Sequence, residues 1–273
     1  MDGCFPDLGA PVGAWWPVDT GWHCHVFRLE SGHAVRLPRR RDVQRHLRME
    51  AGLLSVLEES DVLAPRLQAV CPTHGSMVIT WIEGRPLNDR VLRGIGVARI
   101  VEQVAAVLRA LAVVPVAQAV AVGVQARDLR PVLADFRDRV IPLVDDRRAL
   151  GLLHEAAALE SAKAGRSPRV LLHADIGPAH VLCDHQGLTG VLDWSDAAIG
   201  DPATDLAWLL NGCGRRLRDG LVSALELPPE LVRRADLMHA LGPWWEVTHG
   251  LDQQDQVLVA RGLAGIRQRL PAS

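Results

Sequence analysis

The sequence predicts an α+β protein in two lobes, a small β-rich one over residues 1–82 and a larger, mainly helical one over residues 83–273. Three observations carry this. Short extended runs and one amphipathic helix fill the first 85 residues. Helical periodicity dominates beyond a break at Glu83-Gly84-Arg85-Pro86. A strand-rich island at residues 170–194 then interrupts the helices. A chain of 273 residues, 48% apolar and 23% charged, is long enough to bury a large core in one large domain or two modest lobes.

Taken in order, residues 26–29 and 33–37 are extended runs joined by the hairpin-like turn Glu30-Ser31-Gly32. Residues 41–59 carry Val43, Leu47, Ala51, Leu54 and Leu57 at helical spacing with Arg and Glu between, which predicts an amphipathic helix. Residues 77–82 form a β-branched apolar run, and a hinge is expected near residues 80–85. Residues 97–111, 132–144 and 149–162 read as helices, the last punctuated by Ala164-Gly165-Arg166-Ser167-Pro168. Helices resume after the island. There is no internal repeat.

Composition removes several function classes. Formal net charge is −2 with no block of like charge, so nothing favours nucleic acid or an anionic membrane. The five cysteines are scattered, with no Cys-x-x-Cys, as suits free thiols in a reducing compartment. The N-terminal residues lack the basic-then-apolar order of a signal peptide. The most apolar stretch, residues 104–124, contains Arg109, Pro115 and Gln118, which a membrane span tolerates badly. A cytoplasmic monomer is the expectation. The basic residues are 29 arginines and one lysine, Lys163, and asparagine occurs only at 88 and 211, so a site needing Lys or Asn has almost no candidates.

The island with its flank reads VLLHADIGPAHVLCDHQGLTGVLDWSDAAIGDPATD over residues 170–205. Val170-Leu171-Leu172 leads into His173-Ala174-Asp175, leaving a carboxylate at the end of a buried segment. His180 follows at the head of a second strand, residues 181–183. A turn at Asp184-His185-Gln186-Gly187 returns the chain to Asp193. A hairpin of this length brings its far end beside its start, so Asp175, His180 and Asp193 are expected to converge. That set suits phosphoryl transfer, in which a protein orients a hydroxyl, holds a divalent metal and neutralises charge. An Asp, a ligand five residues on, a hairpin and a second Asp is the loop pair of a protein-kinase-like fold.

The motifs resemble the signature of the aminoglycoside and macrolide phosphotransferase family: His-Gly-Asp-x-x-x-x-Asn/His, Ile/Val-Asp-Trp and Asp-Pro-x-x-Asp. Here they stand as His173-Ala174-Asp175, His180, Leu192-Asp193-Trp194 and Asp201-Pro202-Ala203-Thr204-Asp205. The likeness is greatest to the macrolide 2′-phosphotransferase branch, through His180, the run Asp193-Trp194-Ser195-Asp196 and Val35-Arg36-Leu37-Pro38. The resemblance implies Asp175 as catalytic base, and His180 and Asp193 as ligands of Mg²⁺, or of Mn²⁺. It implies Arg36 toward the phosphates of ATP or GTP, with Glu50 as its ion-pair partner. Thr20 and Gly21 would form a turn over those phosphates, and Thr80 and Ile82 would edge the nucleobase. His173 and Asp205 would brace the catalytic loop.

Two departures stand out. Ala174 replaces the usual Gly, which a backbone of negative φ would accommodate. His180 offers nitrogen where Mg²⁺ prefers oxygen. For the acceptor, a small molecule, the apolar helical lobe favours a macrolide, with Asp196, Trp244 and Trp245 as candidate contacts. Asp196, Glu246, Asp252 and Asp255 keep an aminoglycoside open. A housekeeping small-molecule kinase and a non-catalytic nucleotide-binding protein are the alternatives.

Overall fold

A computed structural model describes residues 14–18, 24–162 and 169–270. Its N-terminal sheet begins with an edge strand, β1 (Trp15–Val18), paired antiparallel to β2 (Cys24–Leu29). A turn in which Gly32 takes φ +77° connects β2 to β3 (His33–Pro38). Helix α1 (Val43–Leu57) packs its predicted apolar stripe inward, with Leu47, Leu53 and Leu54 completely buried. β4 (Leu67–Val70) and β5 (Met77–Thr80) complete a five-stranded sheet of order β1-β2-β3-β5-β4.

After Thr80 the chain leaves this sheet. β6 (Arg85–Pro86) lies within the segment read as a break, yet it pairs with a strand of the island. Three helices follow, α2 (Asp89–Ile95), α3 (Val97–Val113) and α4 (Val116–Ala121), and then a short strand, β7 (Gln125–Ala126). The single helix expected over residues 132–144 is three pieces: α5 (Arg130–Asp135), a π turn (Phe136–Val140) and a 3₁₀ turn (Ile141–Leu143). The Ile141 N–H reaches back five residues to the Phe136 carbonyl, and Pro142, lacking an N–H, closes the element. α6 (Arg147–Ala162) precedes the island.

The island contains β8 (Val170–Leu172), β9 (Val181–Cys183), β10 (Leu188–Val191) and β11 (Ala198–Gly200). They form two small sheets, β10-β9-β6 and β7-β11-β8. The β9–β10 turn is fixed by Asp184, whose carboxylate accepts the N–H groups of Gln186 (2.7 Å) and Gly187 (3.1 Å). Four helices end the chain: α7 (Ala203–Asn211), α8 (Arg215–Ala224), α9 (Pro229–Gln253) and α10 (Gln256–Arg269). One apolar core joins α1, α3, the island and α7; another joins α5, α6, α9 and α10. Among the described residues, no helix is long and apolar enough to cross a membrane.

Candidate active site

Strand β8 leads directly into His173-Ala174-Asp175. Ala174 does not take the negative φ expected of it: its φ is +67°, in the left-handed region where a Cβ is strained. The loop is held there by Asp205 on α7, 3% exposed. Its carboxylate accepts the N–H groups of His173 (2.9 Å) and Ala174 (2.7 Å). The fully buried His173 braces the loop from the other side. Its Nε2–H donates to the Leu192 carbonyl (2.9 Å), so Nδ1 is free to accept the Asp175 N–H (3.3 Å). Burial pushes the His173 pKa down to about 4, which keeps the imidazole neutral.

His180 lies across the loop. Its Nδ1 is 2.8 Å from the Asp175 carbonyl oxygen, which can only accept, so Nδ1 carries the proton and Nε2 presents a lone pair. The same Nδ1 is 3.5 Å from Asp175 Oδ2. The Leu192 N–H donates to the His180 carbonyl at 2.9 Å, tying the start of β9 to the residue before Asp193. Asp193 has φ +65°. Its Oδ1 accepts Arg36 Nη2 (2.9 Å) and the Ser195 hydroxyl (3.0 Å). Burial would raise its pKa, but Arg36, His180 and these hydrogen bonds outweigh it and hold Asp193 near 2. At Asp175 burial prevails over the attraction of His180, aided by Asp196 and Asp193, and the pKa rises. Of the three residues expected to converge, Asp175 and His180 are in direct contact, while Asp193 contacts Arg36 and Ser195 and lies within the electrostatic field of Asp175.

Arg36 and Glu50 connect this centre to the N-terminal lobe. Glu50, 1% exposed, accepts Arg36 Nη1 and the Trp194 N–H (3.2 Å) on Oε1, while its buried Oε2 has no hydrogen-bond partner among the described residues. Burial pushes Glu50 up to about 7 despite Arg36. Burial also works against the charge of Arg36, but Glu50 and Asp193 keep it protonated. The Arg36 guanidinium thus bridges Glu50 of α1 and Asp193 at the end of the hairpin, 157 residues after Arg36 in sequence. Thr80 braces β4, its Oγ1 accepting the Arg66 N–H at 2.9 Å. Ile82 packs against Gly190 so closely that a Cβ there would stand 2.4 Å from its Cδ1. Thr20 and Gly21 lie outside the described residues.

The three candidate acceptor contacts separate. Successive helix residues point about 100° apart, so α9 buries Trp244 completely and leaves Trp245 half-exposed. Trp244 is completely buried in the core against Phe136 (ring centres 5.5 Å) and is corrected to a packing residue. Trp245 is half-buried, edge-on to Phe136, with the Arg127 guanidinium 5.8 Å from its ring centre. Asp196 is exposed. The other acidic candidates are engaged elsewhere: Glu246 with Arg261 (2.8 Å), Asp252 with Arg139 (2.6 Å), and Asp255 capping α10. Arg127 has no distinguishing signal in a sequence with 29 arginines. Among the described residues, no group of three or more His, Cys, Asp or Glu side chains forms a metal cage.

A family model described as the phosphotransferase enzyme family matches residues 15–241. Viomycin phosphotransferase of Streptomyces vinaceus is 30% identical over 219 residues, which cover 77% of this chain and 75% of that one. Among solved structures, the GDP and kanamycin complex of APH(2″)-IIIa superposes with a TM-score of 0.86 at 22% identity, covering 98% of this chain and 96% of that one. The apoenzyme of macrolide 2′-phosphotransferase MphH from Brachybacterium faecium superposes with a TM-score of 0.70 at 24% identity over 100% of both chains. At these identities the superpositions establish the two-lobed kinase-like fold.

Proposed function

The chain belongs to the phosphotransferase enzyme family, and from that premise we propose that it transfers the terminal phosphoryl group of ATP or GTP to a hydroxyl of a small molecule, an antibiotic of macrolide-like character. The observation that carries this reading is the braced loop: His173 and Asp205 fix Asp175 beside His180, within the field of Asp193. Asp175 orients the acceptor hydroxyl and takes its proton on a carboxylate oxygen. The acceptor oxygen then bonds to the terminal phosphorus. The bond from phosphorus to the bridging oxygen breaks, and its electron pair leaves with the nucleoside diphosphate. The raised pKa of Asp175 suits a group that must accept a proton.

The donor set at His180 and Asp193 fits a divalent cation. Asp193 is ionised, and His180 donates its other ring N–H to a backbone carbonyl, the usual support for a ligating imidazole. With only two such protein ligands, phosphate oxygens and water would complete the coordination sphere. When bound, the cation supplies positive charge against the phosphates. Arg36 adds a second positive group on the same side, oriented by Glu50. The apolar helical lobe supports an acceptor with a large apolar surface.

The test is turnover of ATP and GTP with Mg²⁺ or Mn²⁺ over a panel of macrolides and aminoglycosides, comparing the wild type with Asp175→Asn. Asn keeps the shape of the side chain and loses the base, so kcat is expected to fall by at least about a hundredfold. Equal turnover by both proteins removes Asp175 from the mechanism.

A further inference from the structure

We propose that Arg127 is a specificity-determining contact for the acceptor: its guanidinium donates to acceptor oxygens near the reacting hydroxyl and holds the site near neutral charge. The site then takes an oxygen-rich acceptor with at most one amine and rejects polyamines. This rests on the phosphotransfer reading above and names the substrate class of that site.

The position of Arg127 is set by backbone pairing. It directly follows β7, and its N–H donates to the Ile199 carbonyl of β11 at 2.9 Å. The carboxylates whose fields reach its guanidinium are, from strongest, Asp196, Asp205, Asp175 and Glu160, so three of the four lie on the catalytic loop or on the segments flanking it. None of the ion pairs among the described residues includes Arg127, and its Nε is buried without a hydrogen-bond partner. Asp205 cannot turn to meet it, because both of its oxygens accept backbone N–H groups. The guanidinium carbon lies over the Trp245 ring, 5.8 Å from its centre, a cation–π contact that takes up none of its N–H donors. Buried donors are rarely left unmet. An oxygen of the molecule that Asp175 engages would meet the outer N–H groups of the same guanidinium.

Charge decides which molecule. An aminoglycoside is a polycation and calls for several uncommitted carboxylates. Glu246, Asp252 and Asp255 are committed to Arg261, Arg139 and the α10 N-terminus. Asp196 remains, opposed by Arg127. A second and third ammonium group would face the guanidinium at short range and be repelled by it.

The experiment measures binding by calorimetry at low salt, and kcat/KM, for a monoamine macrolide and for the polyamine kanamycin. It uses the wild type, Arg127→Gln and Arg127→Lys. The wild type is expected to prefer the macrolide in both readouts. Arg127→Gln, with a melting temperature confirming that it folds, is expected to shift the binding ratio toward kanamycin by about tenfold or more, the scale of one lost charge contact. Arg127→Lys keeps the charge and loses the planar fork, so its binding ratio is expected to stay near that of the wild type while macrolide affinity falls. A wild type that prefers kanamycin, or a folded Arg127→Gln with the wild-type ratio, overturns the proposal. Binding without turnover of either compound by the wild type refutes the phosphotransfer reading, and the binding ratio still decides the role of Arg127.

Discussion

His173 makes the stability of the fold depend on pH in a direction that can be worked out. Its ring is completely buried, donates through Nε2 to Leu192, and accepts from Asp175 at Nδ1. A second proton would have to sit on Nδ1, facing an N–H that already points there. The folded-state pKa of about 4 lies below the ordinary histidine value of 6.5. Between those values the unfolded chain binds a proton that the folded chain refuses, so stability falls as pH falls. Going from pH 7.5 to 4.5, the difference amounts to about 2.5 kcal/mol. For a chain of this length that corresponds to roughly 4 °C in melting temperature. The assay compares melting temperature against pH for the wild type and His173→Gln, whose amide can donate to Leu192 and accept from Asp175 without titrating. The variant loses packing on Trp194, whose ring centre lies 4.5 Å from that of His173, and melts lower at pH 7.5. Its curve between pH 7.5 and 4.5 is expected to be flatter by the stated amount. Other titrating groups are common to both proteins and cancel in the difference. Parallel curves would refute the neutral, bracing role of His173.

Three further outcomes follow from the same loop and its neighbour. Replacing Ala174 by Gly removes left-handed strain of about 1–2 kcal/mol and adds about 0.4–1 kcal/mol of unfolded-state freedom, so a small net gain in denaturant midpoint is expected. Ala174→Val, β-branched at φ +67°, should lose more stability than the Gly variant gains, and a Val variant as stable as the wild type would contradict that backbone. Exchanging the nitrogen ligand for oxygen in His180→Asn should raise the ratio of Mg²⁺-supported to Mn²⁺-supported kcat/KM, and an unchanged ratio would remove residue 180 from the metal site.

Much of the architecture was legible because its signals are local. The stripe from Val43 to Leu57 buries as its spacing requires, and the Asp184–Gly187 turn returns β10 along β9. What escaped the sequence depends on partners distant along the chain. β6 contains Arg-Pro, a breaking pair by itself, and becomes a strand only because β9 lies beside it. β1 is an exposed edge strand whose Trp-Trp-Pro-Val shows no alternation. Neighbouring tryptophans at 244 and 245 look equivalent in a string of letters, whereas helical rotation buries one and half-exposes the other. The site shows the same division. Asp175, His180 and Asp193 announce themselves by order and spacing. The left-handed turn at Ala174 does not, since a methyl side chain gives no hint of it, and Arg127 is one arginine among many.

The single imidazole at 173 also has a mechanical consequence. By holding the Asp175 amide and the Leu192 carbonyl at once, it ties the loop carrying Asp175 to the strand end leading to Asp193. A molecule that stiffens one side stiffens the other, so each substrate should tighten the binding of its companion by the same factor, whichever arrives first.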